Sequence, residues 1–127
     1  MILNMALEQL TEKIIGCAMD VHSALGPGLL ENAYRECLYY KLSKTGLYVE
    51  KEKLLPLVFE GVELDCGYRI DLLVEKSVVI ELKSVKKIDD IHLAQILTYM
   101  KLGLFKVGLI INFNVTSLRD GIRRVSI

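Results

Sequence analysis

Tyr68-Arg69-Ile70-Asp71-Leu72-Leu73-Val74-Glu75-Lys76-Ser77-Val78-Val79-Ile80-Glu81-Leu82-Lys83 decides how this chain is read. Two β-branched, apolar runs flank a polar break, and each alternates with a period of two, as strands do. Tyr68, Ile70, Leu72 and Val74 fall on one face of the first strand, and Arg69, Asp71, Leu73 and Glu75 on the other. In the second strand Val78, Ile80 and Leu82 share a face, opposite Val79, Glu81 and Lys83. With Glu75-Lys76-Ser77 as the loop of a hairpin, Val74 pairs with Val78, Leu72 with Ile80 and Ile70 with Leu82. That register sets Asp71 across from Glu81 and Arg69 across from Lys83. A slip of one residue would turn Glu81 onto the apolar face, so the hydrophobic pattern itself selects the register.

Directly opposed side chains have Cβ atoms roughly 4.5–5.5 Å apart. Two carboxylates at that separation repel unless one is protonated or a cation lies between them. A hard oxygen pair suits Mg²⁺ or Mn²⁺, and Lys83 offsets part of the negative charge. The plainer alternative is a cross-strand salt-bridge cluster on a solvated sheet face.

Outside the hairpin, Leu7 to Leu25 has the spacing of an amphipathic helix, ended by Gly26-Pro27-Gly28. A second helix is expected from about Leu30 to Thr45, with Leu30, Tyr34, Cys37, Leu38 and Leu42 facing the core. Strands are expected over Leu47 to Lys53, Leu54 to Glu60 and Val62 to Asp65, with Glu60-Gly61 as a turn. A charged connector, Ser84 to Asp90, leads to a helix capped by Asp89 or Asp90 and running through Leu102 to a stop at Gly103. A buried strand follows at Lys106 to Phe113. Asn112 to Ser117 turns, and Leu118 to Ile127 forms a short helical or extended tail. This order indicates an α/β fold, with a mostly antiparallel sheet and flanking helices, in a single domain over residues 1–127.

The 127 residues are 52% apolar and 25% charged, a globular composition with no apolar run long enough to span a membrane. Met1-Ile-Leu-Asn-Met-Ala-Leu-Glu8 carries no basic segment or small-residue cleavage site, so no signal peptide is expected and the location is taken as cytoplasmic. Cys17, Cys37 and Cys66 lie far apart without a C-x-x-C spacing and read as buried reduced thiols, giving no support to zinc or an iron–sulfur cluster. His22 and His92 have no companion at ligand spacing. Sixteen basic and sixteen acidic residues leave zero net charge. This counts against strong non-specific binding of nucleic acid but leaves room for a local basic groove at Arg69, Lys83, Lys86 and Lys87.

Glu31 and Tyr34 are three residues apart in Gly28-x-x-Glu31-x-x-Tyr34, and Gln95 and Tyr99 are four apart on the later helix, with His92 a turn earlier. Taken alone, Glu31 is an ordinary acidic residue in a first helical turn and Gln95 a polar residue on a helix edge. Taken together and in order, Gly28-x-x-Glu31-x-x-Tyr34, Asp71, Glu81-Leu82-Lys83 and Gln95-x-x-x-Tyr99 resemble the GxxExxY proteins of the PD-(D/E)XK nuclease superfamily. The resemblance extends over nearly the whole chain and takes in the Gly26-Pro27-Gly28 turn and the Leu109-Ile-Ile-Asn-Phe-Asn114 strand. Ile70 stands where the superfamily's nominal motif has proline.

The resemblance implies a restriction-endonuclease-like mixed sheet flanked by helices. It also implies a Mg²⁺- or Mn²⁺-dependent nuclease acting on nucleic acid, DNA ahead of RNA. Asp71, Glu81 and the backbone carbonyl of Leu82 would be metal ligands, with Glu31 completing the acidic pocket directly or through water. Lys83 would orient or help deprotonate the attacking water, and Gln95 and Tyr99 would form the helix pair of the exonuclease-like branches. The alternative is a catalytically quiet nucleic-acid-binding or assembly module on the same fold. A homodimer or a partner protein fits the apolar content.

Overall fold

The computed structural model describes residues 6–127. The reading of the first eight residues as free of a leader therefore falls largely outside the described residues. Helix α1 (Leu7–Leu25) and helix α2 (Glu31–Lys44) lead into strand β1 (Val49–Leu54) and the small strands β2 (Leu57–Phe59) and β3 (Val62–Leu64). Strands β4 (Arg69–Val74) and β5 (Val78–Lys83) then precede helix α3 (Asp90–Gly103), strand β6 (Val107–Asn112), a 3₁₀ turn (Leu118–Gly121) and strand β7 (Ile122–Ser126).

The main sheet has the order β1-β4-β5-β6-β7, and β2 pairs with β3 in a separate two-stranded ribbon. The α/β expectation, a mixed sheet flanked by helices, is met. The pairing is mostly antiparallel, as expected, with one parallel pair, β5 and β6. Helix α3 is the reason: a parallel pair needs a long crossover, and α3 supplies it.

Burial on both faces of β5 and β6 sets the layers. Leu72, Val74, Val78, Ile80, Leu82, Leu109 and Ile111 pack with α1 and α2 through Leu10, Ile14, Ala18, Tyr34, Leu38 and Leu42. Leu73, Val79 and Ile110 pack on the opposite side with Ile96, Tyr99 and Met100 of α3. Ile70 departs from simple alternation and joins the α3-side cluster with Leu55. Gly108 on β6 lets α3 approach closely: a Cβ there would lie 2.8 Å from the Met100 sulfur and 2.9 Å from Ile96 Cδ1.

Several local expectations are corrected. Leu30 is 75% exposed rather than core, because α2 starts one residue later and leaves Leu30 as its extended N-cap. Cys17 is buried, but Cys37 is half-buried and Cys66 is exposed. Cys66 sits not at a strand start but in a turn where the Asp65 carboxylate accepts the Gly67 N–H at 3.0 Å. The C-terminal tail, expected as helical or extended, is in keeping with that: a 3₁₀ turn followed by the edge strand β7. Gly103 is the last residue of α3, and Leu104 takes the left-handed cap at φ 61°. No side chain would fit at Gly103, because the Phe105 ring occupies the space of its Cβ.

Tyr34 ties the helical layer to the sheet. Its ring is fully buried and stacks on Phe113, with centroids 4.3 Å apart and planes 10° from parallel. Its hydroxyl donates to the Gly26 carbonyl and accepts the Leu29 N–H at 3.1 Å, which holds the Gly26-Pro27-Gly28 turn in place. Tyr34→Phe leaves a backbone donor and acceptor without their buried partner, at a cost of about 1–3 kcal/mol. Urea unfolding should show that loss with the fold retained; an unchanged midpoint and slope would mean that the hydroxyl does not anchor the turn.

Candidate functional site

Near its turn the hairpin forms in the expected register, with Val74 opposite Val78, Leu73 opposite Val79 and Leu72 opposite Ile80. The expected pairs Ile70–Leu82, Asp71–Glu81 and Arg69–Lys83 are not formed, and Ile70 and Leu82 pack on opposite sides of the sheet. Its turn places Glu75 and Lys76 at φ 53° and 52°, and the Ser77 N–H donates to the Val74 carbonyl at 2.9 Å. Two successive positive-φ residues are the signature of a type I′ turn, whose twist matches that of a hairpin. Beyond Leu72 and Ile80 the pairing changes character. The Asp71 carboxylate turns across and accepts the Leu82 N–H at 2.8 Å through Oδ2. The side chain thereby takes a backbone donor of the neighbouring strand, and it fixes Asp71 against the Glu81-Leu82 peptide.

Glu81 is the buried member of the pair, at 6% exposure, and its Oε1 is a buried oxygen without a hydrogen-bond partner. The picture of a salt-bridge cluster on a solvated face is therefore ruled out for Glu81. Burial pushes its carboxyl up to about 9, reinforced by the charge of Asp71 and by a hydrogen bond between the two side chains; Lys83 opposes the shift only in part. A carboxyl that holds its proton through neutral pH, with one oxygen unpaired, is a position where a divalent cation can replace the proton. The donor chemistry fits Mg²⁺ or Mn²⁺: two carboxylates, with the Leu82 carbonyl as the remaining hard oxygen proposed. Among the described residues, no group of three or more His, Cys, Asp or Glu side chains is close enough to hold an ion, so Glu31 does not form a carboxylate triad with Asp71 and Glu81.

Glu31 instead grips the chain immediately after Lys83. Its Oε2 accepts the Ser84 N–H at 3.2 Å, and the Ser84 hydroxyl donates to the Leu29 carbonyl at 2.6 Å. The first turn of α2 is thus fastened to the end of β5. Lys83 is half-buried and points to the same side of β5 as Glu81 by alternation. On α3, Gln95 Nε2 donates to the Tyr99 hydroxyl at 3.1 Å, so the expected pair is formed. Burial raises the Tyr99 phenol, and the charges of Glu81 and Asp71 raise it further, which places Tyr99 within electrostatic reach of the acidic pair.

Neither histidine is a free ligand. His22 Nε2 lies 2.8 Å from the Val115 carbonyl, and His92 Nδ1 accepts the Asp89 N–H at 3.0 Å as part of the α3 cap.

Sequence reasoning missed Asn112. Buried at the end of β6, it faces Lys83 across the parallel pairing. Its side chain accepts the Val85 N–H at 3.1 Å and donates to the Val85 carbonyl at 2.9 Å. These two bonds imitate a further rung of sheet and hold the segment that leaves Lys83. The signal was an amide inside the apolar run Val107-Gly-Leu-Ile-Ile-Asn112, where a buried polar group requires partners.

The raised Glu81 carboxyl makes a prediction about the protein kept free of divalent ions. The folded state retains a proton that the unfolded chain releases near pH 4.5, so stability falls as pH rises from there toward about 9. Urea unfolding at pH 5.5 and 8.5 should show a clear loss for the parent chain and a much flatter response for Glu81→Gln. Equal pH responses in both would contradict the assignment of the buried proton to Glu81.

Comparison with known proteins adds a family. The sequence matches the profile of the PD-(D/E)XK nuclease superfamily over residues 8–125, nearly the full chain. No curated protein and no solved structure gives a match. Nuclease-like function goes with that family at the coarse level. With the acidic pair and the lysine at the ends of adjoining strands in a mixed sheet, and the match running from α1 to β7, the chain belongs to the PD-(D/E)XK nuclease superfamily.

Proposed function

We propose that residues 1–127 form one PD-(D/E)XK nuclease-like domain that hydrolyses phosphodiester bonds of nucleic acid with Mg²⁺ or Mn²⁺. The observation that carries this reading is the buried Glu81 carboxyl with its unpaired Oε1, set beside Asp71 and followed two residues later by Lys83. Asp71, Glu81 and the Leu82 carbonyl would hold the cation. When bound, it supplies positive charge to the scissile phosphate and lowers the pKa of an attacking water.

The chain's own residues do the rest. Asp71 is kept in position by the Leu82 N–H. Lys83 orients the water and offsets charge that grows on the phosphate. Glu31 acts on the pocket through the Ser84 amide or an intervening water rather than from a shared carboxylate cluster. Gln95 and Tyr99 form the opposite wall and position phosphate or water through the pair of polar groups they present.

DNA is proposed ahead of RNA on the restriction-endonuclease-like fold, not on a contact in the site. The three free cysteines fit a reducing compartment, which supports a cytoplasmic location. No helix among the described residues is long and apolar enough to cross a membrane. Exposed Val58, Phe59 and Val62 on the β2–β3 ribbon support a homodimer or partner protein. Zero net charge favours the second reading, a catalytically quiet nucleic-acid-binding or assembly module.

Labelled single- and double-stranded DNA and RNA, incubated with Mg²⁺, Mn²⁺ or EDTA, separate the two. The nuclease reading expects cleavage that EDTA abolishes and that Lys83→Ala slows by about 10²–10³-fold, the scale for removing one group that stabilises transition-state charge. Asp71→Ala should remove activity while the chain still unfolds cooperatively. Metal-dependent cleavage that survives Asp71→Ala would sink the site assignment, and no cleavage by the parent chain under any condition would favour the binding module.

A further inference from the structure

A recess lies on the flank of α3. It has a volume of about 370 Å³, and its walls include Leu57, Tyr68, Ile91, His92, Gln95 and Tyr99. That volume is near the lower end of the roughly 300–1,000 Å³ usual for small-ligand sites. The recess is mostly apolar, and none of its lining side chains is a carboxylate. The Tyr68 and Tyr99 rings meet at its floor, 5.9 Å apart and tilted by 53°. Tyr68 lines the recess and is 43% exposed.

Two polar groups are directed by their neighbours. His92 Nδ1 already accepts the Asp89 N–H, which leaves the ring proton on Nε2 as a donor. Gln95 uses an amide N–H on the Tyr99 hydroxyl and retains its carbonyl oxygen as an acceptor. The recess therefore offers an aromatic face, an apolar rim at Leu57 and Ile91, one donor and one acceptor. Those are the features that bind a nucleobase by its face and its hydrogen-bonding edge. Tyr99 joins this recess to the acidic pair, because it packs with Ile70, Leu73 and Val79 on the α3 side of the sheet, the side that Glu81 shares with Val79 by alternation along β5.

We infer that this recess receives one unpaired nucleobase of the strand being cut, so that the substrate is single-stranded nucleic acid or a strand with an unpaired end. The inference rests on the nuclease reading above and specifies its substrate class. A base in an intact duplex has its faces covered by its neighbours and its edge occupied by its partner. It reaches Tyr68 only after unstacking and unpairing, which costs a few kcal/mol per base in a duplex and far less in a single strand. Charge sets the direction of the strand. The segment from Leu54 to Tyr68 carries Glu60, Glu63 and Asp65 and no lysine or arginine, so it repels phosphates. The backbone accordingly runs on the side of Lys83, Lys86 and Lys87, with the base turned toward α3.

Tyr68 can be changed without altering the proposed metal ligands or Lys83, its ring neighbour in the site being Tyr99, and the tertiary hydrogen bond at this residue is accepted by its backbone carbonyl from the Leu55 N–H. The test uses the full chain carrying Asp71→Ala, to prevent cutting, and a short oligonucleotide with a single photoreactive iodouracil. The oligonucleotide is presented as a single strand or within a blunt, fully paired duplex. The expected result is cross-linking to Tyr68 or Tyr99 from the single strand and little from the duplex, read by peptide mass spectrometry. Tyr68→Ala should weaken single-strand binding by about tenfold, the order expected for loss of one base–aromatic stack, and Tyr68→Trp should restore it.

Cross-links that fall elsewhere, duplex binding as tight as single-strand binding, or indifference to Tyr68→Ala would overturn the inference. Metal-dependent cutting by the parent chain, measured alongside, keeps a failure of the recess distinct from a failure of the nuclease reading.

Discussion

The structure turns on one costly arrangement: the carboxyl of Glu81 is buried beside that of Asp71 in the central strand pair. An isolated buried carboxylate costs several kcal/mol and normally keeps its proton or takes a cation. Here burial comes first and the neighbouring charge second, and together they hold the proton to about pH 9. Lys83 is too weak a counterweight to remove that cost. A protein built only for stability would place Val, Ile or Leu at position 81, as it does at 78, 79, 80 and 82.

Everything around the pair restricts its freedom to relax. Strand β5 is covered on one side by α1 and α2 and on the other by α3, and Glu81, at 6% exposure, lies on the α3 side with Val79. Asp71 is fixed by the Leu82 amide, and the chain beyond Lys83 is held from two directions, by Glu31 and Leu29 through Ser84 and by Asn112 through Val85. Tyr34 in turn fixes the loop that carries Leu29. The Gly28-x-x-Glu31-x-x-Tyr34 stretch thus acts as a brace for the end of β5. Within it Tyr34 is a structural anchor, and Glu31 reaches the site through a backbone amide.

Much of this was legible in the sequence because period-two and helical patterns are strong where a face is fully buried. Helix α1 and the register of the β4–β5 hairpin near its turn follow directly from such faces, and Asp89 marks the start of α3 as a capping residue. Leu30 was misread because an apolar residue just before a helix continues its pattern even when the chain there is extended and exposed. Strand β7 is legible only as one alternative for the tail, because Ile122 and Val125 fall on opposite faces, one packed against each core cluster, with two exposed arginines between them. The buried side of Ile70 escaped because packing against Leu55 depends on a part of the chain outside the hairpin. Pairing of Gln95 with Tyr99 was visible from helical spacing, whereas the roles of Ser84 and Asn112 were not. Those arise from a parallel crossover and a loop contact that join residues distant in sequence.

The central claim is that the proton on Glu81 holds the place of a divalent cation. Calorimetric titration of the chain with Mn²⁺ near pH 7, repeated in buffers of different ionisation enthalpy, measures binding and proton release together. The account predicts saturable binding with about one proton released per ion, and loss of that proton release in Glu81→Gln. Binding without proton release, or release that persists in Glu81→Gln, would show that the buried carboxyl is not where the cation enters.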